Sequence, residues 1–233
     1  LLSFALTAPL ALAERMALVV GNGDYSTAPD LANSVGDAKA IAKALKGLDF
    51  KVTLITDAEG AQLQPKLDAF VTEAETADSV VFYYSGHAFQ MGGVNYLVPV
   101  DARLESRDGV KAESWSLDGI IARLQSRSHQ TLIFLDACRN DPLPASVRGS
   151  GASADGLARV QTGVGTFVAF ATEPGGVTAD GVQDAKNSPF TAALLKHIQQ
   201  PGKSISDMMI EMDLPGCWRS EEHTSELQSR WII

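Results

Sequence analysis

Two short stretches of this chain end in residues that could do chemistry together: YYSGH, closing at His87, and FLDAC, closing at Cys138. A cysteine becomes a nucleophile when a base takes its proton or stabilises its thiolate, and histidine is the natural partner near neutral pH. Attack on a carbonyl also needs backbone N–H donors where negative charge develops. Gly86, just before the histidine, has no side chain and lets a carbonyl group come close to the backbone. The plain alternative is structural, since unpaired cysteines are often small, inert, buried hydrophobes. Neither motif decides the matter alone, so the elements that carry them have to be read.

Apolar strands alternate with amphipathic helices along the chain, which predicts an α/β fold with a mainly parallel sheet flanked by helices. MALVVGN (16–22), FKVTLIT (50–56), SVVFYYSGH (79–87), HQTLIFLDAC (129–138) and GVGTFVAFAT (163–172) read as strands. Val35, Ala38, Ile41, Ala42 and Leu45 share one face at helical spacing, as do Leu63, Leu67, Phe70, Val71 and Ala74. SLDGIIARLQSR gives a third helix, SPFTAALLKHIQ (188–199) a fourth with Ser188 as N-cap, and SISDMMIEM starts a last one. QMGGVNYLVPVD reads as a hairpin turning at Gly92-Gly93. Residues 142–163 are rich in Pro, Ser, Ala and Gly without periodicity, which predicts a loop. In parallel sheets reactive groups collect beyond the carboxyl ends of the strands. YYSGH and FLDAC therefore open onto the same rim.

Composition narrows the function classes. The 233 residues carry a net charge of −9, and no basic patch suited to phosphate backbones is visible, so a nucleic-acid role is not expected. Two cysteines, Cys138 and Cys217, are too few for a disulfide framework, and His87, His129, His197 and His223 have no metal-like spacing with them. No EF-hand ligand run is present. VVGNGDY holds a G-x-G but lacks the third glycine of a dinucleotide fingerprint, which leaves a flavodoxin-like nucleotide binder a distant reading.

The full set of motifs resembles the caspase-like cysteine peptidases (clan CD, peptidase C14), specifically the bacterial metacaspase or orthocaspase type. The matching pieces, in the family's order, are ALVVGNGDY, LANSVGDAKAIAKAL, YYSGHAFQMGGVNYLVPVD, TLIFLDACRNDP, FVAFATEPGGVTADG and NSPFTAALLKHI. They span about residues 15–210. A cysteine in an A-C-R context with a histidine about 50 residues upstream fits the caspase pattern. The resemblance implies a three-layer caspase-hemoglobinase fold and a cysteine endopeptidase with His87 and Cys138 as its dyad. It implies an oxyanion hole from the backbone N–H groups of Gly86 and Cys138. It also implies an S1 pocket from Asp37, Ser85 and Asp136, which would accept Arg, then Lys, at P1. Carboxylates suit that task because a guanidinium makes paired, charge-assisted hydrogen bonds. For Asp37 an ordinary place in a helix's first turn is the competing explanation.

The resemblance divides the chain into a p20-like part at about 14–141, a connecting loop at 142–162 and a partial p10-like part at 163–218. Arg148 and Arg159 in that loop are candidate self-cleavage points, against the plain reading of solvated loop residues. Many metacaspases have D-x-C-H-S-G where this chain has DACRNDP, so Arg139 departs from the pattern and bears on P1 preference. No cofactor is required, calcium activation is left open, and protein or peptide substrates are the expected partners of a monomer. The contrasting function is a catalytically idle caspase-like interaction module; intact His87 and Cys138 argue against it.

Both ends of the sequence stand apart. Residues 1–13 end in Ala11-Leu12-Ala13, an A-x-A pattern that predicts a signal-peptide remnant cleaved before Glu14 and a secreted or periplasmic protein. The apolar run is short for a membrane span. Residues 219–233 have no periodicity and look like translated adapter sequence. A natural chain continuing past Trp218, and a final strand missing from the sheet, are therefore expected.

Overall fold

The computed structural model describes residues 14–125, 130–138, 143, 147, 157–158, 160, 162–171, 186–212 and 218–219. The central strands are β1 (Arg15–Gly21), β2 (Lys51–Thr56), β3 (Ser79–Met91), β6 (Gln130–Cys138) and β7 (Thr166–Phe170). The inner strands β1, β3 and β6 are apolar along nearly every position and buried on both faces, as parallel strands covered by helices must be, whereas the edge strand β2 is half polar and only partly buried. The sheet order is β2-β1-β3-β6-β7-β8, with β8 the pair Trp218–Arg219. Pairings from β2 to β7 are parallel, and β8 runs antiparallel to β7.

Side-chain alternation sorts each strand between two cores. Met16, Leu18, Val20, Val80, Phe82, Tyr84, Ile133 and Leu135 pack under α2 (Gly60–Glu73) and α4 (Leu117–Gln125). Ala17, Val19, Val81, Tyr83, Leu132 and Phe134 pack under α1 (Ser34–Lys46), α5 (Pro189–His197) and α6 (Ile205–Glu211). A third, smaller cluster lies past the strand ends, around Tyr25, Leu31, Phe89, Val98 and Val100. The layers and the parallel sheet agree with the expected architecture.

Four details differ from the sequence expectation. β3 does not stop at His87 but continues to Met91, where it pairs antiparallel with β4 (Val94–Leu97) in the hairpin expected at Gly92-Gly93. Both turn glycines have positive φ, 63° and 83°, which is where a side chain would be strained. A seven-residue helix, α3 (Arg107–Glu113), and the two-residue β5 (Trp115–Ser116) precede α4, all too short to show a period. The fifth strand is narrower than 163–172. Finally, the edge of β7, expected bare, carries β8, with Phe170 opposite Trp218 and Ala169 opposite Arg219. An open edge offers main-chain N–H and C=O groups to any extended segment, so this pairing needs no side-chain signal. Residues 1–13, read as a signal-peptide remnant, most of residues 142–162 and residues 220–233 lie outside the described residues. No helix among the described residues is long and apolar enough to cross a membrane.

Candidate active site

The sheet order reverses at β1, whose neighbours β2 and β3 follow it on opposite sides. In such sheets ligands bind at the switch point, which here falls at the carboxyl ends of β1 and β3. The predicted residues gather along β3 and β6. Ser85 pairs with Asp136, Gly86 with Ala137, and His87 with Cys138, so the two backbones meet in register as β6 ends. The sequence motifs YYSGH and FLDAC are thus one site because their strands are neighbours.

The histidine is fixed by the connection that follows β1. Asn22 is fully buried and ties that connection down. Its N–H donates to the Ser85 carbonyl at 2.9 Å, its side-chain amide donates to the Val98 carbonyl at 3.0 Å, and its Oδ1 accepts from the Ala58 N–H at 2.9 Å. The Asp57 carboxylate accepts the N–H groups of Gly23 and Asp24, at 2.8 and 3.1 Å. Asp30 accepts the Tyr25 N–H at 3.0 Å, and Leu31 donates back to the Gly23 carbonyl at 2.9 Å. A loop pinned at this many points holds its own carbonyls and side chains still.

Two of those groups meet His87, which is only 4% exposed. The Pro29 carbonyl lies 2.7 Å from Nε2. A carbonyl can only accept, so Nε2 carries the proton and Nδ1 is the basic nitrogen of the neutral ring. The Tyr25 ring packs against the imidazole with centroids 4.6 Å apart, and its hydroxyl accepts the His87 N–H at 2.8 Å. The Tyr84 hydroxyl donates to the His87 carbonyl at 2.7 Å. The His87 main chain is therefore engaged on both sides. Gly86 is required by space: a Cβ there would stand 2.6 Å from the Tyr84 hydroxyl and 2.7 Å from that of Tyr25.

The acids form a second cluster. Asp37 and Asp136 are 1% and 6% exposed and meet at Ser188, which precedes α5. Asp37 Oδ1 accepts from the Asn187 amide at 2.7 Å and from the Ser188 N–H at 3.1 Å. Asp136 Oδ2 accepts from the hydroxyls of Ser188, of Thr191 at 2.6 Å, and of Tyr83 at 3.3 Å. Ser188 is also the helix cap predicted from sequence, since its Oγ accepts the Thr191 N–H at 3.0 Å. Asp37 lies in the first turn of α1, and its carboxylate reaches across to residues 187 and 188. Burial, then the charges of Asp136 and Asp37, push the Tyr83 hydroxyl well above its ordinary range, so it stays a neutral donor. Ser85 is buried beside it and hydrogen-bonds Tyr83.

Ser85, Gly86, His87, Asp37, Asp136 and the backbone of Cys138 are all brought to one rim. Arg148 and Arg159 lie outside the described residues. Sequence reasoning did not find Pro29, Tyr25, Asn187 or Thr191 as parts of the site. Pro29 acts through a carbonyl, which every residue owns, so no signal marked it. Tyr25 sits inside VVGNGDY, which sequence reading weighed as a phosphate loop and matched to the family's first strand without giving the tyrosine a role.

The comparisons agree with this fold. Protein GSU0716 from Geobacter sulfurreducens superposes with a TM-score of 0.64 at 15% identity, covering 92% of this chain and 96% of that one. Caspase-1 from Spodoptera frugiperda gives 0.62 at 17% identity, covering 86% of this chain and 75% of that one. Human mucosa-associated lymphoid tissue lymphoma translocation protein 1 is 29% identical over 127 residues, 54% of this chain but 15% of that protein's length. The caspase domain model of peptidase family C14 matches residues 14–214, and the chain belongs to that family.

Proposed function

We propose that this chain is a cysteine endopeptidase of metacaspase type that cleaves after Arg and, more slowly, after Lys. The observation that carries this reading is the pairing of His87, within β3, with Cys138 at the end of the adjacent β6, with the imidazole proton committed to the Pro29 carbonyl. Nδ1 is then left to accept the thiol proton. The Cys138 thiolate attacks the scissile carbonyl carbon, and the oxyanion is met by the backbone N–H groups of Gly86 and Cys138. Collapse of the adduct breaks the C–N bond, with the histidinium returning its proton to the departing amine. Water, deprotonated by His87, then hydrolyses the thioester and frees the carboxyl product. The two buried carboxylates, Asp37 and Asp136, support the basic P1 preference, because a guanidinium would supply the opposite charge such a site favours. Cleavage at Arg148 or Arg159 would make the enzyme self-processing.

The test is turnover of matched fluorogenic peptides with Arg, Lys or Asp at P1, by wild type and by Cys138→Ala. Cleavage after Arg and Lys that disappears in the variant is expected. Cleavage only after Asp would keep the nucleophile and remove the basic S1 assignment. A folded wild type that cleaves none of them, even after its 142–163 loop is nicked, would point to an idle interaction module instead.

A further inference from the structure

Ser188 belongs to neither motif that announced the site, yet it touches both carboxylates. Its backbone N–H reaches Asp37 and its hydroxyl reaches Asp136. Its neighbours complete the arrangement, Asn187 on the Asp37 side and Thr191 on the Asp136 side. Asp37 comes from α1 and Asp136 from β6, both in the p20-like part, whereas these donors all come from the p10-like part. Like charges brought together in a buried place oppose each other, and one of them ordinarily gives up its charge by taking a proton. Neutral donors aimed at the carboxylate oxygens oppose that outcome, because they favour the ionised form.

We infer that Ser188, with Asn187 and Thr191, is a specificity-determining positioning element that holds Asp37 and Asp136 charged and correctly oriented for a basic P1 side chain. This rests on the basic P1 preference proposed above. The α5 end of the p10-like part thereby sets the charge selectivity of a pocket whose acids belong to the p20-like part. Selectivity and turnover are then separable, since these three residues bind the carboxylates while Tyr25, Pro29 and Tyr84 hold His87.

The experiment compares peptides with Arg or citrulline at P1, which have nearly the same shape but differ in charge. Ser188→Ala is expected to lower kcat/KM for the Arg peptide about tenfold, the loss falling mainly on KM, with the citrulline peptide unchanged. Ser188→Thr keeps the hydroxyl and is expected to restore the Arg preference. Since Ser188 also caps α5, Ser204→Ala serves as the control. Ser204 caps α6 in the same way, accepting the Asp207 N–H at 3.1 Å, and its loss should lower the Tm without moving the Arg-to-citrulline ratio. Thr191→Val removes a second donor from Asp136 and gives an independent variant should Ser188→Ala fold poorly; a reduced ratio is expected there too. A wild type with no preference for Arg over citrulline would remove the basic P1 reading and this inference together. A wild type that prefers Arg, with both Ser188→Ala and Thr191→Val losing Arg and citrulline turnover equally, would overturn the inference alone.

Discussion

The histidine corner and the carboxylate corner sit on the same rim but are assembled from different distances. His87 is held by Tyr25, Pro29 and Tyr84, all from the first half of the chain, and the connection that presents two of them is pinned by Asn22, Asp57 and Asp30. Asp37 and Asp136 are joined through Asn187, Ser188 and Thr191, which arrive only with the fifth helix. Among the described residues, the contacts that hold the group proposed as catalytic base thus include three from the first part of the domain. The groups proposed to choose the substrate need both parts. Chemistry and specificity can therefore be disturbed separately.

The largest effect expected is alkaline unfolding, which samples both corners. Burial is the leading cause that raises the hydroxyls of Tyr25, Tyr83 and Tyr84 above their ordinary value. Above pH about 10 the unfolded chain therefore gives up protons that the folded protein keeps, so stability falls as pH rises. Below that pH the contribution is fully present. Each tyrosine adds a slope of about 1.4 kcal/mol per pH unit, so the three together approach about 4 kcal/mol per unit. Urea unfolding followed across this range, beside tyrosinate absorbance, should show the three hydroxyls ionising only as structure is lost. Tyr83→Phe, at the carboxylate corner, should remove about a third of the slope, leaving the larger share with the histidine corner. Ionisation of these hydroxyls while the circular dichroism is still native would contradict the account.

A pair of glycines sharpens the contrast next. Gly86→Ala puts a Cβ against the Tyr84 and Tyr25 hydroxyls at 2.6 and 2.7 Å, inside a corner whose parts have no room to move. A loss of about 3 kcal/mol is expected, since overpacking forces side chains and backbone out of place. Gly36→Ala, on α1 beside Asp37, meets nothing nearer than the Lys186 carbonyl at 3.8 Å. That substitution should stabilise by about 0.5–1 kcal/mol, because alanine loses less backbone entropy in a helix. Denaturant midpoints measure both. Equal and small changes would mean that the histidine corner is looser than its contacts imply.

The sequence carried the chemistry-bearing residues further than it carried their supports. His87 and Cys138 stood out because their types, their strand ends and their order matched a pattern, and β3 and β6 prove to be neighbours in register. Ser188 was legible as a helix cap and is one, but capping uses its oxygen as an acceptor. Nothing in that pattern announced that its O–H and N–H would bind two acids distant in the chain. Asp37 had a sufficient local explanation in its helix turn, and only the tertiary packing of residues 187 and 188 shows where its carboxylate is used. Backbone partners such as the Pro29 carbonyl leave no mark in a sequence at all.

The substitution of a single hydroxyl distinguishes the corners most sharply. Tyr25→Phe keeps the ring that packs on the imidazole and removes only the hydroxyl that accepts the His87 N–H. A buried N–H left without its acceptor costs about 1 kcal/mol of stability. If the histidine corner serves bond breaking and not substrate choice, turnover of Arg and citrulline peptides must fall by the same factor, in kcat with little change in KM. Ser188→Ala is expected to give the opposite pattern, with charge preference lost and turnover of the neutral peptide kept. Loss of Arg preference in Tyr25→Phe would show that the two corners act as one unit, whatever the separate origins of their parts.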